Sequence, residues 1–370
     1  MTLTFEHVTL GQRVRFGTGK AAQNLSAEVD RLGATRVMVI ASEFEAPIVE
    51  RVSAGIDVAL YYSDVAPHVP IEKAEKARAA AIEHGIDLLV CVGGGSTTGL
   101  AKAVAMTTKL PIIAVPTTYA GSEATNVWGL TEASRKATGV DNNVLPGTVI
   151  YDAELTFSLP PRLSVASGLN ALAHCVDSMW APRADPINQA LGAEGIRALA
   201  SGLPRIKDNP QDLPGREQAL YGAYLSAVAF ASAGSGMHHK ICHVLGGAYN
   251  MPHAETHATV LPYVLAFNAP FAPDAERRIA AALGADDAVT GLNALRSTLD
   301  APTALKEHGL LEANIPQAVE LILPAIPAGN PRPVTAANLE ELLRAAYSGT
   351  TPASDPATSD PTRNKEASHV

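Results

Sequence analysis

The stretch VCVGGGSTTGLAKAVA, Val90–Ala105, decides how the first half of the chain is read. An apolar run enters the glycine triplet Gly93, Gly94, Gly95 and leaves as an Ala-rich segment of helical spacing, with Ser96 as the expected N-cap and Thr97 behind it. A strand, a glycine turn and a helix in that order let the backbone approach a phosphate, and free amides at the helix start attract its charge. The spacing is neither GxGxxG nor a Walker GK[ST], so the motif alone leaves a bare strand-to-helix turn open as the alternative.

Working outward, three more short apolar runs alternate with helical stretches: RVMVIA from Arg36, PIIAVPTT from Pro111 and TVIYD from Thr148. Val- and Ile-rich runs separated by helices predict a parallel sheet covered on both faces. PTTYAGSEAT places Thr117, Thr118 and Ser122 just past a predicted strand's carboxyl end, where cofactors of open α/β sheets lie. A further glycine turn, FGTGK, spans Phe16–Lys20. The residue expected to grip an adenosine ribose, after RVMVIA, is Ser42. It carries no charge against a 2′-phosphate, so NADPH is admitted beside NADH unless Glu43 or Glu45 restores the discrimination.

After Leu159-Pro160-Pro161 the strand signal gives way to Ala- and Leu-rich helical segments such as NQALGAEGIRALASGL and GREQALYGAYLSAVAFASA. The expected division is an α/β dinucleotide-binding domain over 1–157, an all-α catalytic domain over 158–348, and a disordered tail over 349–370 with almost nothing to bury. Of the 370 residues, 47% are hydrophobic and 18% charged, a globular composition, and no apolar run reaches the roughly 18 residues of a membrane span. No signal-peptide pattern opens the chain and Cys91, Cys175 and Cys242 form no paired framework, so a cytoplasmic protein with core thiols is expected. A net charge of −9 without clustered Lys and Arg argues against nucleic acid.

GLNALAH, Gly168–His174, and HHKICHVLGGAYNMPH, His238–His253, are the chemistry-bearing blocks. Asn170 and His174 are four apart, as are His239 and His243, so each pair shares a helix face, and the loop before His253 can return it to the same cleft. Clustering of this kind suits metal binding and acid/base chemistry equally. His238 and His257 read as surface or supporting residues. Lys240, inside the block, and Arg162, opening the helix that bears Asn170, are the candidate cations for a carboxylate substrate; Arg135 and Lys136 lie in a flexible-looking segment.

GGGSTTGLAKA, PTTYAGSEAT, LPPRLSVASGLNALAH and HHKICHVLGGAYNMPHAETHATVLP together resemble the iron-containing (group III) alcohol dehydrogenase family over roughly Phe16 to Arg344. The resemblance implies a Rossmann-like domain joined to a helical one, the dehydroquinate synthase-like architecture, and a homodimer. The family's Asp-His-His-His metal set falls on Asn170, His174, His239 and His253, with His243 as the neighbouring catalytic histidine. Within the family the chain is similar to a branch that reduces the enone of an oxo-dicarboxylate with NADH or NADPH, without metal, in aromatic-compound degradation. For that chemistry His243 and His253 are expected to serve the enolate and its proton, His174 and His239 to shape the pocket, and Asn170, Arg162 and Lys240 to meet substrate. Three departures stand out: Asn170 replaces the ligand Asp, Gly99 replaces the Asp of GGGSxxD, and Tyr263 stands where relatives often carry His. The rival readings are a metal-dependent alcohol or aldehyde dehydrogenase, a lyase of dehydroquinate-synthase type, and a nucleotide-sensing module.

Overall fold

The computed structural model describes residues 3–132 and 135–353. Its first half holds β1 (Arg13–Phe16), α1 (Ala21–Leu32), β2 (Val37–Ile40), α2 (Ala46–Ser53), β3 (Val58–Tyr62), α3 (Ile71–Glu83), β4 (Leu88–Gly93), α4 (Gly95–Thr108), β5 (Ile112–Pro116), β6 (Val127–Glu132), β7 (Arg135–Val140) and β8 (Thr148–Tyr151). Six strands form one sheet in the order β1-β8-β5-β4-β2-β3, every neighbouring pair parallel. The expected α/β class holds.

Every residue of β2, β4, β5 and β8 is buried, which is why these four strands read as unbroken apolar runs. The sheet's edge strands, β1 (RVRF) and β3 (VALYY), are only half covered, carry no such run, and were not among the expected strands. The segment after the Thr-rich loop, expected to be flexible, instead pairs as the antiparallel hairpin β6-β7, with Arg135 opposite Glu132. From β2 the chain runs outward to β3 and then returns to β4 beside β2. The strand order therefore reverses between the carboxyl ends of β2 and β4, the crevice in which ligands of open α/β sheets bind.

Among the described residues, no further strand follows β8. The second half is built from α5 (Pro161–Ser178), α6 (Pro186–Asp208), α7 (Leu213–Ala233), α8 (Met237–Tyr249), α9 (His253–Asn268), α10 (Pro273–Leu283), α11 (Ala288–Thr298), α12 (Ile315–Ile322) and α13 (Ala336–Ser348). Helix α5 is buried on every side from Ser164 to Ser178, so it is the core of this half. Helices α6 and α7 approach closely at glycines: a Cβ at Gly202 would lie 2.7 Å from the Gly215 carbonyl oxygen.

Arg216, fully buried on α7, ties the halves together. Its guanidinium donates to Tyr119 Oη and Ser164 Oγ, and to the carbonyls of Leu159 and Pro210, so the loop after β5 and the start of α5 are held by one cation. No described helix is long and apolar enough to cross a membrane. The expected tail lies, beyond residue 353, outside the described residues.

Candidate active site

Strand β4 delivers Gly93 to the switch point at φ +147, a backbone conformation that L side chains rarely adopt. A Cβ there would lie 2.6 Å from Thr97 Oγ1, and one on Gly94 would lie 3.0 Å from Thr118 Cγ2. A side chain at Gly93 is therefore strained, and one at Gly94 would have to push Thr118 aside. Gly94, not Ser96, is the N-cap of α4, and it offers no capping side chain. The correction has a chemical consequence: the first amides of α4 are left for an anionic ligand rather than satisfied by a serine hydroxyl. Thr117 N donates to the Gly93 carbonyl at 3.2 Å, which fixes the Thr117-Thr118 loop across the triplet. Ser122 follows on a single 3-10 turn.

The imidazoles assemble in the helical half. On α5, Asn170 and His174 are both buried, and the ring of His174 stacks on that of His239 of α8 with centroids 4.8 Å apart and planes at 13°. Phe230 of α7 covers both rings, at 4.9 and 4.4 Å. His243 lies 5.9 Å from His239, and His253, the first residue of α9, lies 4.4 Å from His257. The left-handed C-cap Asn250 of α8 makes the turn that brings His253 back.

His238 and His257 are not surface residues. They are 1% and 0% exposed, and His257 stands among His238, His239, His243 and His253. His238 Nε2 and His257 Nδ1 share a hydrogen bond of 2.9 Å, with Cys242 Sγ 3.7 Å from His238 Nε2. This soft-donor trio lies within 4.8 Å. Its outer ring nitrogens, His238 Nδ1 and His257 Nε2, have no partner, whereas metal-bound imidazoles characteristically anchor that second nitrogen. The geometry is that of one imidazole donating to another. All three cysteines are buried and free.

Asp177 was missed, although Asn170, His174 and Asp177 recur at i, i+4 and i+7 on one face of α5. Its carboxylate accepts from His239 Nδ1 at 2.7 Å and from the Gly236 amide at 2.8 Å. His239 is thereby held with its proton on Nδ1 and its Nε2 lone pair facing the cluster. Burial pushes the Asp177 carboxyl up to about 7 against the pull of these donors. Burial also drives His174 down to about 4 and His238 down to about 3, and, with neighbouring imidazoles adding to it, drives His239 and His257 well below the usual range. These four rings are neutral at pH 7. His243 is half-buried and His253 exposed, so the cluster opens on their side.

The side chains of Lys240, half-buried on α8, and Arg162, exposed in the first turn of α5, make no hydrogen bond or ion pair with the described residues. Of Arg135 and Lys136 only the backbone is described. The cradle and the cluster meet at Gly121, at φ +77 in the loop that carries Ser122. A Cβ there would lie 2.8 Å from Ala227 of α7 and 3.7 Å from His174 Nδ1. A dinucleotide lying on the triplet and a small molecule among the imidazoles would share one cleft.

Residues 11–153 match the family model described as "Iron-containing alcohol dehydrogenase", and residues 164–347 match "Fe-containing alcohol dehydrogenase family, C-terminal". The chain is 44% identical to the maleylacetate reductase of Delftia acidovorans over 352 residues, covering 95% of this chain and 99% of that one. A crystal structure named as an iron-containing alcohol dehydrogenase from Corynebacterium glutamicum superposes with a TM-score of 0.94 at 62% identity, covering 97% of this chain and all of that one. The maleylacetate reductase of Rhizobium sp. strain MTP-10005 superposes at 0.90 with 40% identity, over 95% of this chain and 100% of that one. With both halves matched and relatives of this identity spanning nearly its full length, the chain belongs to the iron-containing alcohol dehydrogenase family.

Proposed function

We propose that this chain reduces the carbon–carbon double bond of maleylacetate to give 3-oxoadipate, with NADH as reductant, in the breakdown of aromatic compounds. The observation that carries the reading is the meeting of the glycine cradle and the imidazole cluster at Gly121, beside the resemblance to maleylacetate reductases. Gly93, Gly94, Gly95, Ser96, Thr97, Thr117, Thr118 and Ser122 would hold the dinucleotide. Bound there, it supplies a hydride to the carbon β to the substrate ketone.

The charge that develops spreads over an enolate. Pre-placed donors are sufficient to hold such a delocalised anion. The enclosed rings of His174 and His239 shape the pocket as neutral walls, because burial disfavours a positive charge on either. His243 and His253, on the open side, stabilise the enolate oxygen and pass a proton to the carbon α to the ketone, which restores the carbonyl. Lys240 and Arg162, whose side chains are uncommitted to any carboxylate among the described residues, are the cations for the substrate's two carboxylates.

The donor set does not fit the ferrous ion of the family name. Asn170 contributes a neutral amide, the imidazoles are neutral, and the nearest carboxylate of the cluster, Asp177, is engaged by His239 and Gly236. A divalent cation there would find no carboxylate free to ligate it directly among the described residues. One observation favours a second reading: Asn170 Oδ1 and His239 Nε2 are buried acceptors without a donor, as ligands to zinc would be. The enzyme is read as a cytoplasmic homodimer.

The test is NADH oxidation with maleylacetate before and after exhaustive chelation. Undiminished turnover is the expected result. Turnover that vanishes and returns with added zinc overturns the metal-free reading, and an unreactive maleylacetate overturns the substrate.

A further inference from the structure

The reversal of strand order between β2 and β4 fixes where the two ends of a dinucleotide's pyrophosphate arm must go. With the phosphates over Gly93–Gly95, the adenosine ribose lies at the carboxyl end of the adjacent strand, β2, and there Ser42 supplies only a hydroxyl. Three residues further on, at the N-cap of α2, Glu45 folds back over that hydroxyl. Ser42 Oγ donates to Glu45 Oε2, while Glu45 Oε1 lies 3.4 Å from where a Cβ on Gly93 would be. The carboxylate therefore stands between the ends of β2 and β4 and reaches the cradle from three residues beyond the strand-end position of Ser42.

A second observation concerns the surroundings. A cavity of about 370 Å³ opens at the carboxyl ends of β2 and β3, and its lining includes Glu43 and Glu50 and no Lys or Arg. The one cation of α2, Arg51, reaches Glu154 at 3.5 Å. A phosphomonoester placed here would meet carboxylates and no counter-charge.

We infer that Glu45 is the ribose-binding and specificity-determining carboxylate of this chain, accepting the 2′-hydroxyl of NADH and repelling the 2′-phosphate of NADPH. Ser42 is a positioning residue, holding one carboxylate oxygen so that the other faces the ribose. The inference rests on the dinucleotide reading of the cradle, and it removes the equivalence of NADH and NADPH that Ser42 alone would imply.

The test is a fluorescence titration of the purified full-length chain with NADH and with NADPH, no other substrate being present. The wild type binds NADH about tenfold or more tightly than NADPH. Glu45→Gln brings the two affinities to within about threefold, chiefly by strengthening NADPH, whereas Glu43→Gln shifts the wild-type ratio by no more than about twofold. Glu45 is half-exposed, and an unchanged thermal midpoint shows that its variant is folded. Equal affinities in the wild type, an unchanged ratio in Glu45→Gln, or a ratio that moves only in Glu43→Gln each overturns the assignment while leaving the dinucleotide reading intact. If neither nucleotide binds, the cradle reading itself falls and this inference with it.

Discussion

His239 shows how much a single neighbour decides. Asp177 fixes its proton on Nδ1 and Phe230 covers its ring, so its remaining lone pair faces the cluster without freedom to turn. His243 and His253, by contrast, stand toward the opening, and the proton must enter and leave through them. Replacing either by Ala is expected to lower kcat about a hundredfold or more while leaving the NADH dissociation constant within about twofold. Steady-state kinetics paired with nucleotide titration checks this, and full activity in both variants refutes the assignment. Much of this was legible in the sequence, because spacing of four on a helix puts Asn170 with His174 and His239 with His243. The same spacing of four from His253 reaches His257, and the helical spacing of three beyond His174 reaches Asp177. His257 reads from the sequence only as a surface or supporting residue, and Asp177 is missed, since nothing in a single sequence separates a carboxylate that orients an imidazole from one in solvent.

Among the elements, α4 carries a feature that belongs to this chain. Gly99, where the family pattern has Asp, lies against Val69, and a Cβ there would be 2.8 Å from Val69 Cγ2. Val69 is buried at φ +49, next to His68 at φ +61, and both carbonyls accept from Thr131 of β6. Two successive side-chain-bearing residues in the left-handed region are costly, and the hairpin contact helps hold them. Restoring the family residue by Gly99→Asp should destabilise the protein by about 1–3 kcal/mol through overpacking, and adding Val69→Ala should recover much of the loss. Denaturant midpoints of the two variants measure it; a neutral single variant, or a pair that merely adds, shows that Val69 does not fill the vacated space. No sequence pattern reveals such a pairing. The central strands were readable because burial on both faces leaves unbroken apolar runs, while β1, β3 and the β6-β7 hairpin, half exposed, left no comparable trace.

For the whole molecule the imidazole cluster sets how stability responds to acid. His174, held at about 4, and His238, at about 3, bind protons less readily folded than unfolded, as do His239 and His257. The unfolded chain therefore takes up protons first as pH falls below about 6.5, and stability drops from there toward about pH 4. Asp177, raised to about 7, acts in the opposite sense over the same window, one group against four. His174 alone corresponds to something on the order of 3 kcal/mol. The denaturant midpoint should fall between about pH 7.5 and about pH 5, and a midpoint that stays level or rises shows that the cluster is not neutral. The order of the sheet bears on a different matter, the birth of the molecule. Among the described residues, strand β1 pairs with β8 alone, and β8 is the last strand made. A nascent chain can join β2, β3, β4 and β5 early, yet it must carry its first strand unpaired, and the flank of β5 uncovered, until Tyr151 has left the ribosome. That interval of open edge is when chaperones have most to protect.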